Sequence, residues 1–113
     1  MRTAEAVKSL AALAQDTRLA IYRMLVQQGP EGLSAGAIAE RLDLAGATLS
    51  FHLKELAHAG MVEARQQGRF VYYSASYRRM NDLLGYLTEN CCQGRGCAAS
   101  AASGPRATRR RAA

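Results

Sequence analysis

Between Ser34 and Ala59 the sequence holds two short stretches of helical apolar spacing, separated only by Asp43-Leu44-Ala45, and at Gly60 that spacing stops. Ile38 and Leu42 mark the inner side of the first stretch, and Leu49, Leu53 and Leu56 that of the second. Ser34 is placed to cap the first helix, and Gly60 has the conformational freedom that ends the second. Two short helices joined by a tight turn form a candidate helix-turn-helix. After Gly60 the pattern turns to short β-prone runs, Met61 to Gln66 and Phe70 to Ser74, with Gln67-Gly68-Arg69 between them as the turn of a hairpin.

The flanks extend this plan. Val7, Leu10, Ala11 and Ala14 recur on one face of a first helix. A second helix, with Asp16 as its expected cap, carries Ile21, Tyr22 and Leu25 inward and stops near Gly29-Pro30. A last helix from Tyr77 to about Asn90 places Met80, Leu83, Leu84 and Leu87 on one side. The expected fold is mainly α with a small β-hairpin, in the element order of a winged helix-turn-helix.

At 113 residues the chain has room for one domain and one modest core, which excludes a multidomain enzyme. Folding at this size buries about two thirds of the unfolded surface, so sharing core with a second copy is an expected source of stability. No run of 18 apolar residues and no apolar leader occurs, so the expectation is a cytoplasmic protein with no membrane partner. The formal charge of +6 suggests a polyanion, but it is unevenly placed. Residues 1–94 carry ten Lys and Arg against nine Asp and Glu; Arg95, Arg106, Arg109, Arg110 and Arg111 supply the rest. Residues 1–94 are therefore read as the DNA-binding and dimerisation domain. Residues 95–113, rich in Ala, Gly, Ser and Arg, are read as a disordered basic tail. Around the hairpin, Arg65, Arg69, Arg78 and Arg79 face only Glu63 within residues 61–79.

The run from Leu33 to Ala75 resembles the DNA-binding core of the ArsR/SmtB family of bacterial metal-responsive repressors. Its specific part is Thr-Leu-Ser-x-His-Leu-x-x-Leu-x-x-Ala-Gly-Met-Val at residues 48–62, followed by Gly-Arg-x-Val-Tyr-Tyr at 68–73. The stretch Ala-Leu-Ala-Gln-Asp-Thr-Arg-Leu-Ala-Ile-Tyr-Arg-Met-Leu at 12–25 is also similar, so the resemblance spans about residues 7–90. It implies that the helix beginning near Ala45 enters the major groove of double-stranded operator DNA, and that the hairpin reaches the flanking backbone as a wing. On this reading Ala47, Thr48, Ser50, His52, Lys54, Gln67 and Arg69 are the DNA-binding residues. Hydroxyls of Thr48 and Ser50 can bond base edges or phosphates, Lys54 is a phosphate contact, and Arg69 sits at the wing tip. His52 reads equally as a hydrogen-bonded structural histidine. Tyr72 and Tyr73 are read as cross-strand partners. The resemblance also implies a homodimer through the first and last helices, with its interface on Val7, Leu10, Met80, Leu83, Leu84 and Leu87.

Family members place their inducer sites differently. The cysteine pair that some carry on the first helix of the motif is absent, since Glu31 to Gly36 contain no cysteine. The last helix offers Asp82 and Glu89 but no histidine for a zinc site of the kind other members carry there. All three cysteines instead fall within seven residues, at Cys91, Cys92 and Cys97. An odd number in a reducing compartment argues against a disulfide framework. Three thiolates leave zinc one ligand short of its usual four. They complete the coordination of trivalent arsenic or antimony, whose lone pair occupies the remaining direction. Adjacent helical residues point about 100° apart, so these cysteines converge only if the segment leaves the helix, which Gly94 and Gly96 permit. The C-C-x4-C arrangement is similar to that of arsenite-responsive repressors with a C-terminal site, and that similarity implies Cys91, Cys92 and Cys97 as the ligands. The inducer expected is As(III), with Sb(III) as a second candidate and no organic cofactor.

A thiol redox sensor of the same fold, with Cys97 pairing with Cys91 or Cys92, and a sensor of another thiophilic metal remain open readings of the same residues. Catalysis is not expected, because Cys91 and Cys92 follow a helix C-terminus, where the dipole disfavours a thiolate nucleophile.

Overall fold

A computed structural model describes residues 1–94. Five helices surround a small sheet: α1 (Thr3–Leu13), α2 (Asp16–Gln28), β1 (Leu33–Ser34), α3 (Ala35–Leu42), α4 (Gly46–His58), β2 (Val62–Gln67), β3 (Phe70–Ala75) and α5 (Tyr77–Leu87). A single turn, Cys91–Gly94, follows α5. No helix among the described residues is long and apolar enough to cross a membrane.

Local chemistry accounts for most boundaries. The Ser34 hydroxyl accepts from the Ala37 N–H at 3.2 Å and opens α3 as expected. Asp43 then takes φ +54° and the Leu44 N–H donates back to the Ala39 carbonyl, so α3 ends in a left-handed turn that redirects the chain into α4. At the far end of α4 the Met61 N–H donates to the Leu56 carbonyl and the Gly60 N–H to that of Ala57. Gly60 sits at φ +78°, a backbone conformation that favours glycine, with the movable Arg79 guanidinium 2.7 Å from where a Cβ would stand. The Arg2 backbone N–H donates to the Glu5 carboxylate at 2.9 Å, which holds that carboxyl below its usual range and closes the first turn of α1.

The cap of α2 differs from the sequence expectation. Gln15 holds the cap position, accepting from the Arg18 N–H at 2.8 Å, while Asp16 is the first helical residue, where its charge still favours the helix N-terminus.

The core lies where α2, α3 and α4 pack on one another and on the sheet, α2 and α3 against β3 and α4 against β2. Ile21, Leu25, Ile38, Leu56 and Met61 are fully buried there. The sheet has the order β1-β3-β2, antiparallel throughout. Leu33 pairs with Tyr73 and Ser34 with Tyr72, a third strand that the alternation rule misses because two residues carry no period. The β2–β3 ladder runs from Val62↔Ala75 to Gln67↔Phe70, leaving Gly68-Arg69 as a two-residue turn with glycine, at φ +64°, in its first position. Beyond Val62 every residue of β2 is exposed, and past the last pairing with β1, at Tyr72, residues 66–71 of the hairpin continue as a two-stranded tip.

α1 turns Ala6, Ser9 and Ala12 inward and leaves Val7 and Leu10 on the surface. A side-chain hydrogen bond between Thr3 and Tyr86 joins α1 to α5. On α5, Leu84 and Leu87 are exposed and Met80 is half-buried, but Leu83 is only 5% exposed and belongs to the protomer's own core. Leu83 is thereby removed from the expected dimer face: periodicity places it on the apolar side of α5, and contact with the rest of its own chain consumes it.

Candidate nucleic-acid interface and thiol pair

α4 is fastened by its inner stripe and free along its outer one. Leu49, Leu53 and Leu56 are buried, while Ala47, Thr48, Ser50, Phe51, Lys54, Glu55 and His58 are exposed. No side chain caps its N-terminus, where Ala45 is the cap residue, so the first backbone N–H groups face outward with the positive end of the helix dipole. Among the described residues Thr48, Ser50 and Lys54 have no side-chain hydrogen bond or ion pair. Their groups are available to a partner along the helix.

His52 is not among these outward groups. It is 9% exposed, and its Nδ1 lies 3.3 Å from Arg18 Nη1, a group that can only donate. Arg18 also donates through Nε to the Ala12 carbonyl at 2.7 Å, so one guanidinium ties the end of α1 to the middle of α4. Of the two readings of His52, its burial and its Arg18 contact favour the hydrogen-bonded structural one. Position explains why: His52 lies three residues after Leu49 and four before Leu56, on the buried stripe. His52→Ala should lower the unfolding free energy by about 1–3 kcal/mol, the cost of a lost buried hydrogen bond with its partner stranded. Denaturant titration checks this; a change in operator affinity with unchanged stability would restore His52 to the DNA contacts.

Phe51, absent from the sequence-derived set, is 56% exposed at the centre of the outer stripe. The signal was present in the spacing, since Phe51 is two residues from both Leu49 and Leu53 and so cannot share their face.

In the wing, Gln67 and Arg69 are exposed at the tip, and Phe70 beside them is 60% exposed. Arg65 is engaged at home: it donates to the Glu31 carbonyl at 3.1 Å and lies 5.5 Å over the Tyr72 ring, its cross-strand partner. Arg69 makes no hydrogen bond or ion pair among the described residues, and its charge is free at the end of the hairpin.

The third feature is the turn after α5. Sequence spacing carries that helix to about Asn90, yet it ends at Leu87, where Thr88 Oγ1 donates to the Leu84 carbonyl at 2.8 Å. Asn90, Cys92 and Gln93 then take φ of +58°, +55° and +60°. Left-handed geometry costs a Cβ-bearing residue roughly 1–2 kcal/mol. It also aims two sulfurs at each other: Cys91 Sγ and Cys92 Sγ lie 3.6 Å apart, which side chains 100° apart on a helix could not match. At that distance the two sulfurs are in direct contact. Cys97 and the basic tail lie outside the described residues.

Comparison with known proteins adds four findings. A family model described as a helix-turn-helix domain matches residues 13–65. The transcriptional activator HlyU of Vibrio cholerae is 34% identical over 80% of this chain and 82% of its own, and its structure superposes with a TM-score of 0.64. An ArsR-like transcriptional regulator from Rhodococcus is 30% identical over 80% of this chain and 83% of its own, with a TM-score of 0.70. A homodimeric winged helix-turn-helix DNA-binding domain from Mycobacterium bovis is 27% identical over 82% of this chain and 86% of its own, with a TM-score of 0.62.

Proposed function

Because the chain belongs to the ArsR/SmtB family of winged helix-turn-helix transcriptional regulators, we propose that it is a repressor that holds operator DNA as a homodimer and is released when trivalent arsenic, or antimony, binds Cys91, Cys92 and Cys97. DNA binding is supported by the outward stripe of α4 and by the unengaged Arg69 at the wing tip. Dimerisation is supported by the exposed Val7, Leu10, Leu84 and Leu87 on adjoining helices, and by the homodimeric state of the M. bovis relative. Two copies of α4 about 34 Å apart would meet successive major grooves on one face of the duplex. A dimer seated across a promoter excludes polymerase, which makes repression the expected output.

The observation that carries the inducer assignment is the Cys91–Cys92 sulfur pair, 3.6 Å apart and four residues beyond Leu87. Soft thiolates select thiophilic ions, and the third sulfur would come from Cys97. Since α5 stops at Leu87, the proposed event is a resetting of the Thr88–Asn90 turn when the three sulfurs take up the ion. Thr88 is hydrogen-bonded into the last turn of α5, so strain there reaches Leu84 and Leu87 and shifts the spacing of the two α4 helices. A coupling of about 1–3 kcal/mol, the usual size, loosens DNA 5- to 150-fold.

The deciding experiment is an anisotropy titration of the full-length reduced protein on the promoter DNA upstream of its own gene, with and without arsenite. Release by arsenite, with sulfur-to-arsenic ultraviolet absorption saturating near one ion per protomer, supports the reading. Tight binding unaffected by arsenite but abolished by mild oxidant would replace it with the redox reading, in which Cys97 pairs with Cys91 or Cys92. In the same assay Arg69→Ala should weaken binding on every sequence and lower the slope of log affinity against log salt by about one per protomer. An unchanged slope removes Arg69 from the phosphate contacts.

A further inference from the structure

The outer stripe of α4 is unusual for a helix that reads base edges. Ala47, Phe51, Lys54 and His58 follow one another at four-, three- and four-residue intervals, with Thr48 and Ser50 beside them. Apart from Lys54, none of these is a side chain that makes two hydrogen bonds to a single base. At its centre stands Phe51, 56% exposed. Its ring meets the His52 imidazole edge-on, with centroids 5.4 Å apart and planes at 64°. His52 is itself held by Arg18 from the buried side, so the aromatic ring rests on a fixed support. An aromatic side chain carries a large apolar area, and leaving it in water at mid-helix is explained if a partner covers it. The groove surface of DNA offers one apolar group, the C5-methyl of thymine, for which Ala, Thr and Phe are the matching side chains. Ala47, Thr48 and Phe51 supply all three within the first two turns of α4.

We propose that Phe51 is a specificity-determining residue that packs against thymine methyl groups in each operator half-site, so that the protein reads its central base pairs by apolar contact rather than by paired hydrogen bonds. The inference rests on the operator-binding reading above and adds what the operator must contain. Removing one methyl from a buried apolar contact weakens it about fourfold, and removing the symmetric pair in both half-sites about fifteenfold.

The test takes duplexes selected from a randomised library by the full-length, arsenite-free protein, then replaces thymine by uracil one symmetric pair at a time. Uracil keeps every hydrogen-bonding group and lacks only the methyl. At one or two positions per half-site the wild type should lose about fifteenfold in affinity. Phe51→Ala should bind thymine and uracil duplexes within twofold of each other there, with an unchanged salt slope, while Phe51→Leu should keep part of the penalty. Phe51 is exposed, so thermal unfolding should not shift in either variant. If uracil is tolerated everywhere by the wild type, or if Phe51→Ala retains the full penalty, the inference is overturned while operator binding stands. If no duplex is enriched from the library, the operator-binding reading itself fails.

Discussion

Replacing Leu84 and Leu87 together by glutamate yields a monomer that has lost its operator. Both side chains are more than half exposed on α5, and Val7 and Leu10 are similarly exposed on the neighbouring α1. Contiguous apolar surface of this kind marks an interface rather than a solvated face. Carboxylates there would have to be buried against a second copy's apolar side chains, at a cost that no local partner offsets. A dimer gains specificity by engaging two half-sites at once, so the monomer should bind at close to its nonspecific level, at least about 100-fold weaker. Sedimentation equilibrium reads the oligomeric state and anisotropy the affinity. Leu83→Ala is the contrasting variant: buried in its own protomer, it should cost about 2–5 kcal/mol of folding stability. A double glutamate variant that stays dimeric and binds DNA normally would move the interface elsewhere.

The second large effect concerns the thiols. Cys91→Ser, Cys92→Ser and Cys97→Ser should each bind operator as the wild type does and each lose the arsenite response, reducing a 5- to 150-fold release to nearly none. A single replacement suffices because a pyramidal three-sulfur centre has no spare ligand. None of the described cysteines lies on the outer stripe of α4 or on the wing, so DNA affinity is the control. Anisotropy with arsenite titrated against each variant separates the outcomes. Loss of DNA binding without arsenite would show that the turn after α5 is structural, and an intact response in Cys97→Ser would remove that residue from the ligand set.

How legible the molecule was in its sequence depended on the range of the interactions. The Ser34 cap, the α3–α4 turn, the glycine stop at Gly60 and the hairpin around Gly68 all follow from neighbours a few residues apart, and the structure has them where the sequence places them. Residue type misled at adjacent positions 51 and 52, where the aromatic faces out and the imidazole faces in. The distance of each from the Leu49, Leu53 and Leu56 stripe contained the answer.

Other features had no local signal. The pairing of Leu33 and Ser34 with β3 depends on a strand almost 40 residues away. Arg18 reaches His52 across 34 residues, and no pattern in either helix announces it. Helical period alone determined that Met80, Leu83, Leu84 and Leu87 form the apolar side of α5. Only tertiary structure decided which of them the protomer keeps for its own core and which it leaves exposed, because burial is allotted by the space between elements and not by the order of residues within one. The cysteine turn divides the same way: the sequence determined that three thiols lie close along the chain, and the left-handed backbone at Asn90, Cys92 and Gln93 decided that the first two point at one another.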